Sequence, residues 1–564
     1  MRSTFMCLSR RLALLLPVAA LVGAAAITAV NLVAQQAAAT GPVTNQEILD
    51  GLKPDGSRWL TFGGNYANHR FSPLTQITPE NVSRLQPQWT FQTNTLGNFE
   101  TTTLVRDNVL YVTGPQNVAW AVDARSGRQI WRYRRELPAT GLTACCGLVN
   151  RGFAAFGDKL YMTTLDAHLL ALDMKTGAIV WDATLEDYKI GYASTIAPII
   201  AKDKVIVGVA GGEYGIRGFI DAYDVNTGKK AWRFYTIPGP GEPGFNTWQG
   251  DSWKVGGTGI WVTGAYDPET NALFYGTGNP GPDYHSESRE GDNLYSCSLV
   301  VLDADTGKLK WHYQFTPHDV HDYDSTEVPI LGDIPMNGQT RKVVMFANRN
   351  GFYYTLDRNT GKVLVAKPYV VTTWAKEIDA QGRPMLLPGH TPDEKGETTC
   401  PDLTGGTNFW PPAFDPRTNL FFVNAREACA TFYAYKQDYV PGQRFTGGAQ
   451  QLVNTKDNKP WGAIRALDPA TGERKWEFKM INPSRSGIMT TASNLLFTGD
   501  GEGNLIALDS RNGKLLWTHQ MGSNLHGTSP VTYMLDGRQQ LLVPSGTTLT
   551  AWALPDAPRA TQQQ

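Results

Sequence analysis

The segment "ALDMKTGAIVW", residues 171–181, is one copy of a pattern that recurs along the chain. The shared template is a small or apolar residue, an apolar residue, Asp, two variable positions, Thr, Ser or Asn, Gly, three variable positions and Trp. Six further copies occupy residues 121–131, 222–232, 301–311, 355–365, 466–476 and 507–517, and only the copy at 355–365 ends in Val instead of Trp. Two partial copies, "AYDPETNALFY" (265–275) and "AFDPRTNLFFV" (413–423), keep the Asp but carry Asn in place of Gly.

This template predicts a β-hairpin. The Asp can accept hydrogen bonds from backbone amides in the turn, Gly or Asn tolerates a positive φ, and the second strand ends at the Trp. One hairpin cannot bury its own tryptophan, so a neighbouring copy must cover it. Successive template Asp residues are 50, 51, 79, 54, 111 and 41 residues apart, and the two longest intervals contain the partial copies.

Four-stranded units of this length predict an all-β, eight-bladed β-propeller with tryptophan-docking repeats. We expect one blade to be closed by pairing the two ends of the chain. A β-solenoid, the alternative repeat architecture, would need shorter and more uniform units.

Composition agrees with a repetitive β-protein and excludes one class of partner. A chain of 564 residues exceeds the usual size of a single core unless its architecture repeats. The 57 Gly, 34 Pro and 16 Trp residues are typical of short strands joined by tight turns. The net charge is −1 and no basic run is present, so we expect no nucleic-acid partner.

The first 39 residues have the features of a signal peptide. Arg10 and Arg11 precede a long uncharged stretch, and Ala37, Ala38 and Ala39 offer a cleavage site. A retained membrane anchor is the alternative, because about 20 uncharged residues can span a bilayer. Either interpretation places the folded part outside the cytoplasm, and we expect a periplasmic protein.

The remaining residues, 40–564, are predicted to form one propeller domain. We expect a short lead-in at residues 40–58 and a disordered tail at about 556–564.

Five cysteines remain after signal cleavage. Cys145 and Cys146 are adjacent, Cys400 and Cys429 are 29 residues apart, and Cys297 lies in a strand-like segment that predicts a small core residue. In an oxidising compartment disulfides persist, and an odd count leaves at least one free thiol. The chain contains no C-x-x-C-H motif for covalent haem.

The heptapeptide "HDVHDYD", residues 318–324, contains two closely spaced carboxylates, Asp322 and Asp324. In an extended chain Asp322 and Asp324 would point to one face with Cα atoms roughly 6.5–7 Å apart. Two carboxylates at one place repel unless one is protonated or a cation lies between them. Imidazole suits softer metals, so His318 and His321 are interpreted as structural.

Six segments on this repeat resemble the quinoprotein alcohol dehydrogenases, whose cofactor is pyrroloquinoline quinone (PQQ). They are residues 58–89, "TACCGLVNRG" (143–152), "GGEYGIRG" (211–218), "YGTGNPGP" (275–282), "TPHDVHDYD" (316–324) and "FANRNGFYYTLDR" (346–358). The resemblance runs from about Trp59 to about Pro555 and implies an eight-bladed propeller with PQQ and a metal ion near its axis.

The resemblance also implies roles for individual residues. The metal ligands would be Glu213, Asn279 and Asp322, and Trp261 would form the floor under the quinone. A vicinal disulfide between Cys145 and Cys146 would cover its other face, and Cys400 and Cys429 would form a structural bridge. The remaining expected cofactor contacts are Glu100, Arg151, Thr195, Ala210, Gly211, Gly212, Arg349 and Asn408.

In this family the residue matching Asp322 is the proposed general base, and the metal acts as a Lewis acid on a quinone carbonyl. Arg349 would stabilise negative charge on the quinone oxygen. Members that use lanthanide ions carry a second acid two residues after the base, and Asp324 stands at that position. A trivalent hard cation demands more anionic oxygen ligands than Ca²⁺, so we expect a lanthanide such as La or Ce, with Ca²⁺ as the alternative.

Two stretches depart from the methanol dehydrogenases. Residues 484–487 stand where those enzymes place a tryptophan, and residues 367–412 match poorly. The expected substrate is therefore a primary alcohol or polyol, oxidised to the aldehyde or ketone, with electrons passed to a separate cytochrome c. The sequence leaves open whether the protein is a homodimer. Two alternative functions are a non-enzymatic scaffold of the outer-membrane assembly type and a PQQ sugar or aldose dehydrogenase.

Overall fold

The template hairpins form pairs of adjacent antiparallel strands in the computed structural model, which describes residues 41–52, 55–97 and 99–555. In the copy at 171–181, strand His168–Asp173 pairs with strand Ile179–Thr184, and the register shifts by one residue before Trp181. The Asp173 Oδ1 atom accepts hydrogen bonds from the backbone N–H groups of Lys175 and Thr176. Gly177 has a φ of +72°, as the turn requires. The predicted signal peptide and carboxyl-terminal tail lie outside the described residues.

Eight sheets of at least four strands occur within the described residues, so the all-β prediction is confirmed. In hydrogen-bonded order their strands are Leu104–Arg106, Val109–Gly114, Val118–Asp123 and Gln129–Arg134; Ala154–Phe156, Lys159–Thr163, His168–Asp173 and Ile179–Thr184; Ile199–Ala201, Lys204–Gly208, Phe219–Asp224 and Lys230–Tyr235; Ala265–Asp267, Ala272–Gly276, Ser298–Asp303 and Leu309–Gln314; Ile330–Met336, Gln339–Ala347, Phe352–Asp357 and Val363–Pro368; Ala413–Asp415, Leu420–Glu427, Trp461–Leu467 and Arg474–Met480; Phe71–Ser72, Met489–Thr491, Leu495–Gly499, Asn504–Asp509 and Leu515–Gln520; and Gln86–Gln92, Thr548–Ala553, Arg538–Ser545 and Val531–Leu535.

The last of these sheets joins the two ends of the described chain. Strand Gln86–Gln92 pairs antiparallel with strand Thr548–Ala553, as the expected closure requires. A second early segment, Phe71–Ser72, adds in parallel to strand Met489–Thr491.

Five template tryptophans dock on the turn glycine of the next copy: Trp131, Trp181, Trp232, Trp311 and Trp476. Trp131 Nε1 donates to the Met174 carbonyl oxygen at 3.0 Å, and a Cβ built on Gly177 would lie 2.7 Å from the Trp131 ring. Glycine is therefore required by the turn and by the tryptophan against it. The same bond from indole to carbonyl oxygen joins Trp89 to Ala124, Trp181 to Val225, Trp232 to Ala304 and Trp476 to Ser510. The prediction that neighbouring repeats bury each other's tryptophans is confirmed.

In the copy that lacks the tryptophan, Val365 and Lys367 lie against Gly472 instead.

The hydrophobic core lies between the sheets. One buried cluster includes Leu170, Ile206 and Leu273, which belong to three successive sheets, and all three side chains are fully buried. The described residues from Pro42 onward belong to one compact unit. Cys297 is buried and has no disulfide partner, as its strand-like context indicated.

Insertions account for the long intervals between repeats. A three-stranded sheet of Glu397–Thr399, Ala430–Ala434 and Gly448–Leu452 and a two-stranded sheet of Ala375–Ile378 and Pro384–Leu386 lie within the 111-residue interval. The described residues contain one α-helix, Asn45–Asp50, which the side chain of Thr44 caps. Short 3₁₀ turns are Val82–Arg84, Tyr188–Ile190, Gly212–Tyr214, Phe245–Thr247, Ser252–Lys254 and Ser286–Arg289. Over 41–52, 55–97 and 99–555, no helix has the length and apolar character needed to cross a bilayer.

Candidate active site

A cavity of about 250 Å³ brings together all fifteen residues that the sequence predicted for the cofactor and metal. Residues from segments far apart in the chain meet here. They are Glu100, Cys145, Cys146, Arg151, Thr195, Ala210, Gly211, Gly212, Glu213, Trp261, Asn279, Asp322, Asp324, Arg349 and Asn408.

Glu213 is carried by a tight glycine-flanked turn between two strands of one sheet. Gly211 has a φ of +120°, and a Cβ built there would lie 2.1 Å from the Gly191 carbonyl oxygen, so only glycine fits. A Cβ built on Gly212 would have one neighbour within 4 Å, the Asn279 side-chain oxygen at 3.7 Å. The Gly212 backbone thus lies beside the Asn279 side-chain oxygen, and Glu213 is the next residue of the turn.

Asp322 and Asp324 face the same guanidinium group. Arg349 Nη1 lies 3.4 Å from Asp322 Oδ1, and Arg349 Nη2 lies 3.1 Å from Asp324 Oδ2. The backbone that achieves this differs from our expectation, because Asp322 has a φ of +60° and is not extended. Aspartate tolerates this left-handed conformation better than most residues. The predicted extended spacing was therefore wrong, although the two carboxylates do converge.

Asp324 is the most highly connected carboxylate of the cavity. Its Oδ1 accepts a hydrogen bond from the Asn279 backbone N–H at 2.7 Å, and its Oδ2 accepts one from Trp261 Nε1 at 3.1 Å. Asp324 is 6% exposed. These bonds fix the Trp261 indole and the Asn279 backbone relative to one carboxylate.

Sequence reasoning missed a further carboxylate, Asp283, which is 1% exposed. Its Oδ1 accepts a hydrogen bond from Asn279 Nδ2 at 3.0 Å. Burial, and then the charge of Glu213, raises the pKa of Asp283 well above its usual value. Burial, and then Asp283, likewise raises the pKa of Asp322. We call four acids the acidic end of the cavity: Glu213, Asp322 and Asp324, which line it, and Asp283, which is hydrogen-bonded to the lining residue Asn279.

The acidic end fits a hard metal ion. Burial raises the pKa of Glu213, and the Asp324 charge adds to the effect. The cationic side chains close to these four acids include Arg349, Arg444 and Arg289. Buried carboxylates in this number disfavour one another's ionisation unless more positive charge is supplied. Carboxylate and amide oxygens are the ligands that hard cations prefer.

The opposite set of charges, Glu100, Arg151, Arg485 and His526, is called here the basic end. Arg151 Nη2 lies 2.8 Å from Glu100 Oε2, and Arg151 Nη1 donates to Thr195 Oγ1 at 2.5 Å. The Arg151 guanidinium carbon is also 4.7 Å from the Trp261 ring centroid. Arginine suits such a position because its planar group can form hydrogen bonds and stack at the same time.

The His526 Nε2 atom lies 3.5 Å from Glu100 Oε1. Burial, reinforced by the nearby Arg485 and Arg151, lowers the pKa of His526 to about 4. Burial also raises the pKa of Glu100 despite the adjacent Arg151. Sequence reasoning missed His526, because it stands in no recognisable motif.

Both cysteine pairs are joined in the structure, Cys145 to Cys146 and Cys400 to Cys429. The sulfur atoms of Cys145 and Cys146 and a carboxylate oxygen of Glu213 lie within 4.8 Å of one another. Because these sulfurs are bonded to each other, they are not thiolate ligands. The vicinal disulfide is therefore part of the cavity wall beside the acidic end.

The two segments that departed from the methanol dehydrogenases both reach the cavity. Arg485 lines it from the first, and Leu403, Thr404, Phe409 and Trp410 line it from the second. His318 and His321, which we interpreted as structural, are not among the lining residues; instead, His321 Nε2 contacts the His390 carbonyl oxygen at 2.7 Å.

Comparison with known proteins identifies the family. The model of the glucose/ethanol/alcohol dehydrogenase PQQ β-propeller domain matches residues 59–368. Quinohemoprotein alcohol dehydrogenase ADH IIB of Pseudomonas putida is 38% identical over 527 residues, covering 90% of this chain and 76% of that protein. The chain belongs to the PQQ-dependent alcohol dehydrogenases.

Other members of the PQQ-dependent alcohol dehydrogenases agree with this assignment. The lanthanide-dependent methanol dehydrogenase of Methylacidiphilum fumariolicum is 36% identical over 531 residues, 89% of this chain and 86% of that protein. The solved structure of a europium-containing methanol dehydrogenase has a TM-score of 0.85 at 33% identity and covers 90% of this chain and 100% of its own.

The model of the outer-membrane assembly factor BamB also matches, at residues 461–557. That stretch contains two copies of the hairpin template, which a scaffold of this type shares. The near full-length relatives are PQQ-dependent alcohol dehydrogenases, so the enzymatic function is favoured over the scaffold alternative.

Proposed function

We propose that this PQQ-dependent alcohol dehydrogenase oxidises a primary alcohol or polyol to the aldehyde or ketone at the cavity described above. The observation that supports the proposal is the convergence of Glu213, Asn279, Asp322 and Asp324 in one cavity with Trp261. The eight sheets are proposed to be the blades of a single propeller domain, with their repeat tryptophans docked from blade to blade.

The metal would be held by Glu213, Asn279, Asp322 and Asp324, and a lanthanide ion is favoured over Ca²⁺. Three of these four ligands are carboxylates, which suit a trivalent hard cation. Relatives named as lanthanide-dependent and europium-containing support the same choice.

The remaining predicted residues would hold PQQ. Arg151 and Arg349 offer planar donors for carboxylate and quinone oxygens. Trp261 offers a flat aromatic face, and the Cys145–Cys146 disulfide lies in the wall of the same cavity. Glu100, Thr195, Ala210, Gly211, Gly212 and Asn408 supply further contacts from the cavity wall.

When bound, PQQ supplies a two-electron acceptor and the metal ion supplies Lewis acidity. The side chains of the protein contribute a proton acceptor and a fixed positive charge. The Asp322 carboxylate accepts the proton of the alcohol hydroxyl group. Arg349 holds that acid in place, since its Nη1 donates to the Asp322 backbone oxygen at 2.8 Å. The same guanidinium group is positively charged, so it would stabilise negative charge that develops beside it during the reaction.

Electrons would leave through a separate partner. The sequence has no C-x-x-C-H motif, so we propose that a cytochrome c accepts the electrons in the periplasm. The oligomeric state stays open.

The decisive experiment is dye-linked alcohol oxidation by purified protein reconstituted with PQQ. It is run with La³⁺ and with Ca²⁺, on a series of primary alcohols and polyols, with glucose as the control substrate. We expect turnover of alcohols with La³⁺ and little with Ca²⁺. Activity with Ca²⁺ alone would contradict the lanthanide site, and oxidation of glucose in preference to every alcohol would contradict the substrate class.

A further inference from the structure

We propose that Asp283 is a positioning residue of the metal site, which orients the Asn279 amide and adds negative charge that favours a trivalent ion. This inference rests on the proposed metal site and names a residue outside the four ligands. It concerns the selection of the cation.

The first observation is the orientation of the Asn279 side chain. Its Nδ2 donates to Asp283 Oδ1 at 3.0 Å and to the Pro280 carbonyl oxygen at 3.3 Å. Both hydrogens of the amide are therefore used, and the Asn279 oxygen points away from Asp283. A Cβ built on the neighbouring Gly212 would lie 3.7 Å from that oxygen, which places the oxygen beside the turn that carries Glu213. Without Asp283, the amide could rotate and present its nitrogen to the ion.

The second observation is that Asp283 is itself held rigidly. Arg289, which is fully buried, donates from Nε to the Pro282 carbonyl oxygen at 3.0 Å and from Nη2 to the Asp283 carbonyl oxygen at 3.1 Å. The Asn279 backbone N–H is bonded to Asp324 Oδ1. Asn279 is thus fixed through its backbone by one carboxylate and through its side chain by another. Partners of this kind orient metal ligands and tune the affinity of the site.

The third consideration is charge. Asp283 lies one hydrogen bond from a proposed ligand, so a bound cation would favour its ionised form, and the carboxylate would act on the ion without having to coordinate it. The Coulomb interaction between a carboxylate and a cation scales with the charge of the cation. A fourth carboxylate therefore favours a trivalent ion over a divalent one more than any neutral group could.

The test compares metal affinity in wild type, Asp283→Asn and Asp283→Ala, each reconstituted with PQQ. Bound La³⁺ and Ca²⁺ are measured by mass spectrometry during competition with a chelator, so the readout does not depend on activity. Asparagine is nearly isosteric and keeps an acceptor oxygen but loses the charge. We expect La³⁺ affinity to fall about 10-fold in Asp283→Asn, and up to about 100-fold in Asp283→Ala. Affinity for Ca²⁺ should fall less in Asp283→Asn, so the preference for La³⁺ decreases.

A matched control is Asp166→Asn. Asp166 is 6% exposed and also accepts a hydrogen bond from an asparagine amide, Asn117 Nδ2, but Asn117 is not one of the proposed metal ligands. This variant should retain wild-type metal affinity for both ions. Melting temperatures of all variants report any general loss of stability, and Asp283→Asn decides the question if Asp283→Ala does not fold.

Unchanged affinity for both ions in Asp283→Asn and Asp283→Ala would overturn the inference. An equal loss of La³⁺ and Ca²⁺ affinity in Asp283→Asn would also overturn it, because that result describes a structural role without charge selection. If wild type with PQQ retains neither ion, the proposed metal site itself fails, and this inference fails with it. If wild type binds the ion and both Asp283 variants bind it equally well, only the role of Asp283 is removed and the proposed metal site stands.

Discussion

The two ends of the cavity differ in how far the protein itself compensates the charges of their acidic side chains. At the basic end, Glu100 has Arg151 at 2.8 Å and the charge of Arg485 nearby, so its negative charge is compensated within the protein. At the acidic end, four acids share the charges of three arginines, Arg349, Arg444 and Arg289. The acidic end therefore has an incomplete set of charges that a bound cation would complete, whereas the basic end offers paired groups to an anionic ligand.

The largest expected effect comes from removing the proposed base at the acidic end. Asp322→Asn should lower kcat by about 10²–10⁴-fold, because a general base contributes roughly this much. Steady-state kinetics of PQQ-loaded protein measures the effect. Metal and PQQ content serve as controls, since a variant that retains both and still loses turnover has lost proton transfer. Unchanged kcat would remove Asp322 from the chemistry.

The next largest effect concerns the cation itself. Asp324→Ala should lower La³⁺-dependent turnover on the order of 100-fold, which is the upper range for losing a supporting partner of a metal site. The folded structure should persist, although Trp261 Nε1 and the Asn279 N–H lose their acceptor. Turnover is measured with La³⁺ and Ca²⁺ side by side, with circular dichroism as the control for folding. Equal turnover of variant and wild type with La³⁺ would argue against Asp324 as a ligand.

These two variants also mark what the sequence could predict. Asp322 and Asp324 were recognisable because they lie two residues apart in one motif. The docking of Trp131 on the next turn was predictable because a hairpin cannot bury its own indole. In both cases the physical reason for the contact can be read from a short stretch of sequence.

Asp283 and His526 were missed for a different reason. Asp283 follows Asn279 at a spacing of four across two prolines, a signal that could have been noticed, but its importance arises from a hydrogen bond that only the folded turn creates. His526 reaches the cavity from a region that has no motif. The positive φ of Asp322 was likewise not foreseeable, since the spacing of the two acids does not specify the backbone conformation between them.

A change at the basic end should affect the cofactor and leave the ion preference intact. Arg151→Met removes the hydrogen bonds to Glu100 and Thr195 and a donor for an anionic ligand. PQQ affinity should fall about 10- to 100-fold, since hydrogen bonds to charged groups contribute about 1.5–3 kcal/mol. Equilibrium titration of PQQ, followed by tryptophan fluorescence, measures this loss. The ratio of La³⁺ to Ca²⁺ affinity is the control, and a changed ratio would show that the two ends are not independent.

The smallest expected effect is on stability at low pH. The pKa of His526 is lowered to about 4 in the folded protein, below the ordinary value of 6.5. The unfolded chain therefore binds a proton more readily, and the contribution of His526 to stability is lost as the pH falls from 6.5 towards 4. The loss should be on the order of 1–3 kcal/mol. Melting temperatures across this range should decrease less in His526→Gln than in wild type; parallel curves would contradict the prediction.

The pairing of strand Gln86–Gln92 with strand Thr548–Ala553 has a consequence for biosynthesis. The first strand is synthesised more than 450 residues before its partner. Throughout the intervening synthesis, Gln86–Gln92 is an edge without its neighbour, and such edges pair readily with other chains. A carboxyl-terminal truncation that removes Thr548–Ala553 would make this exposure permanent, and we expect the shortened protein to aggregate while its other sheets keep their own hydrogen bonds.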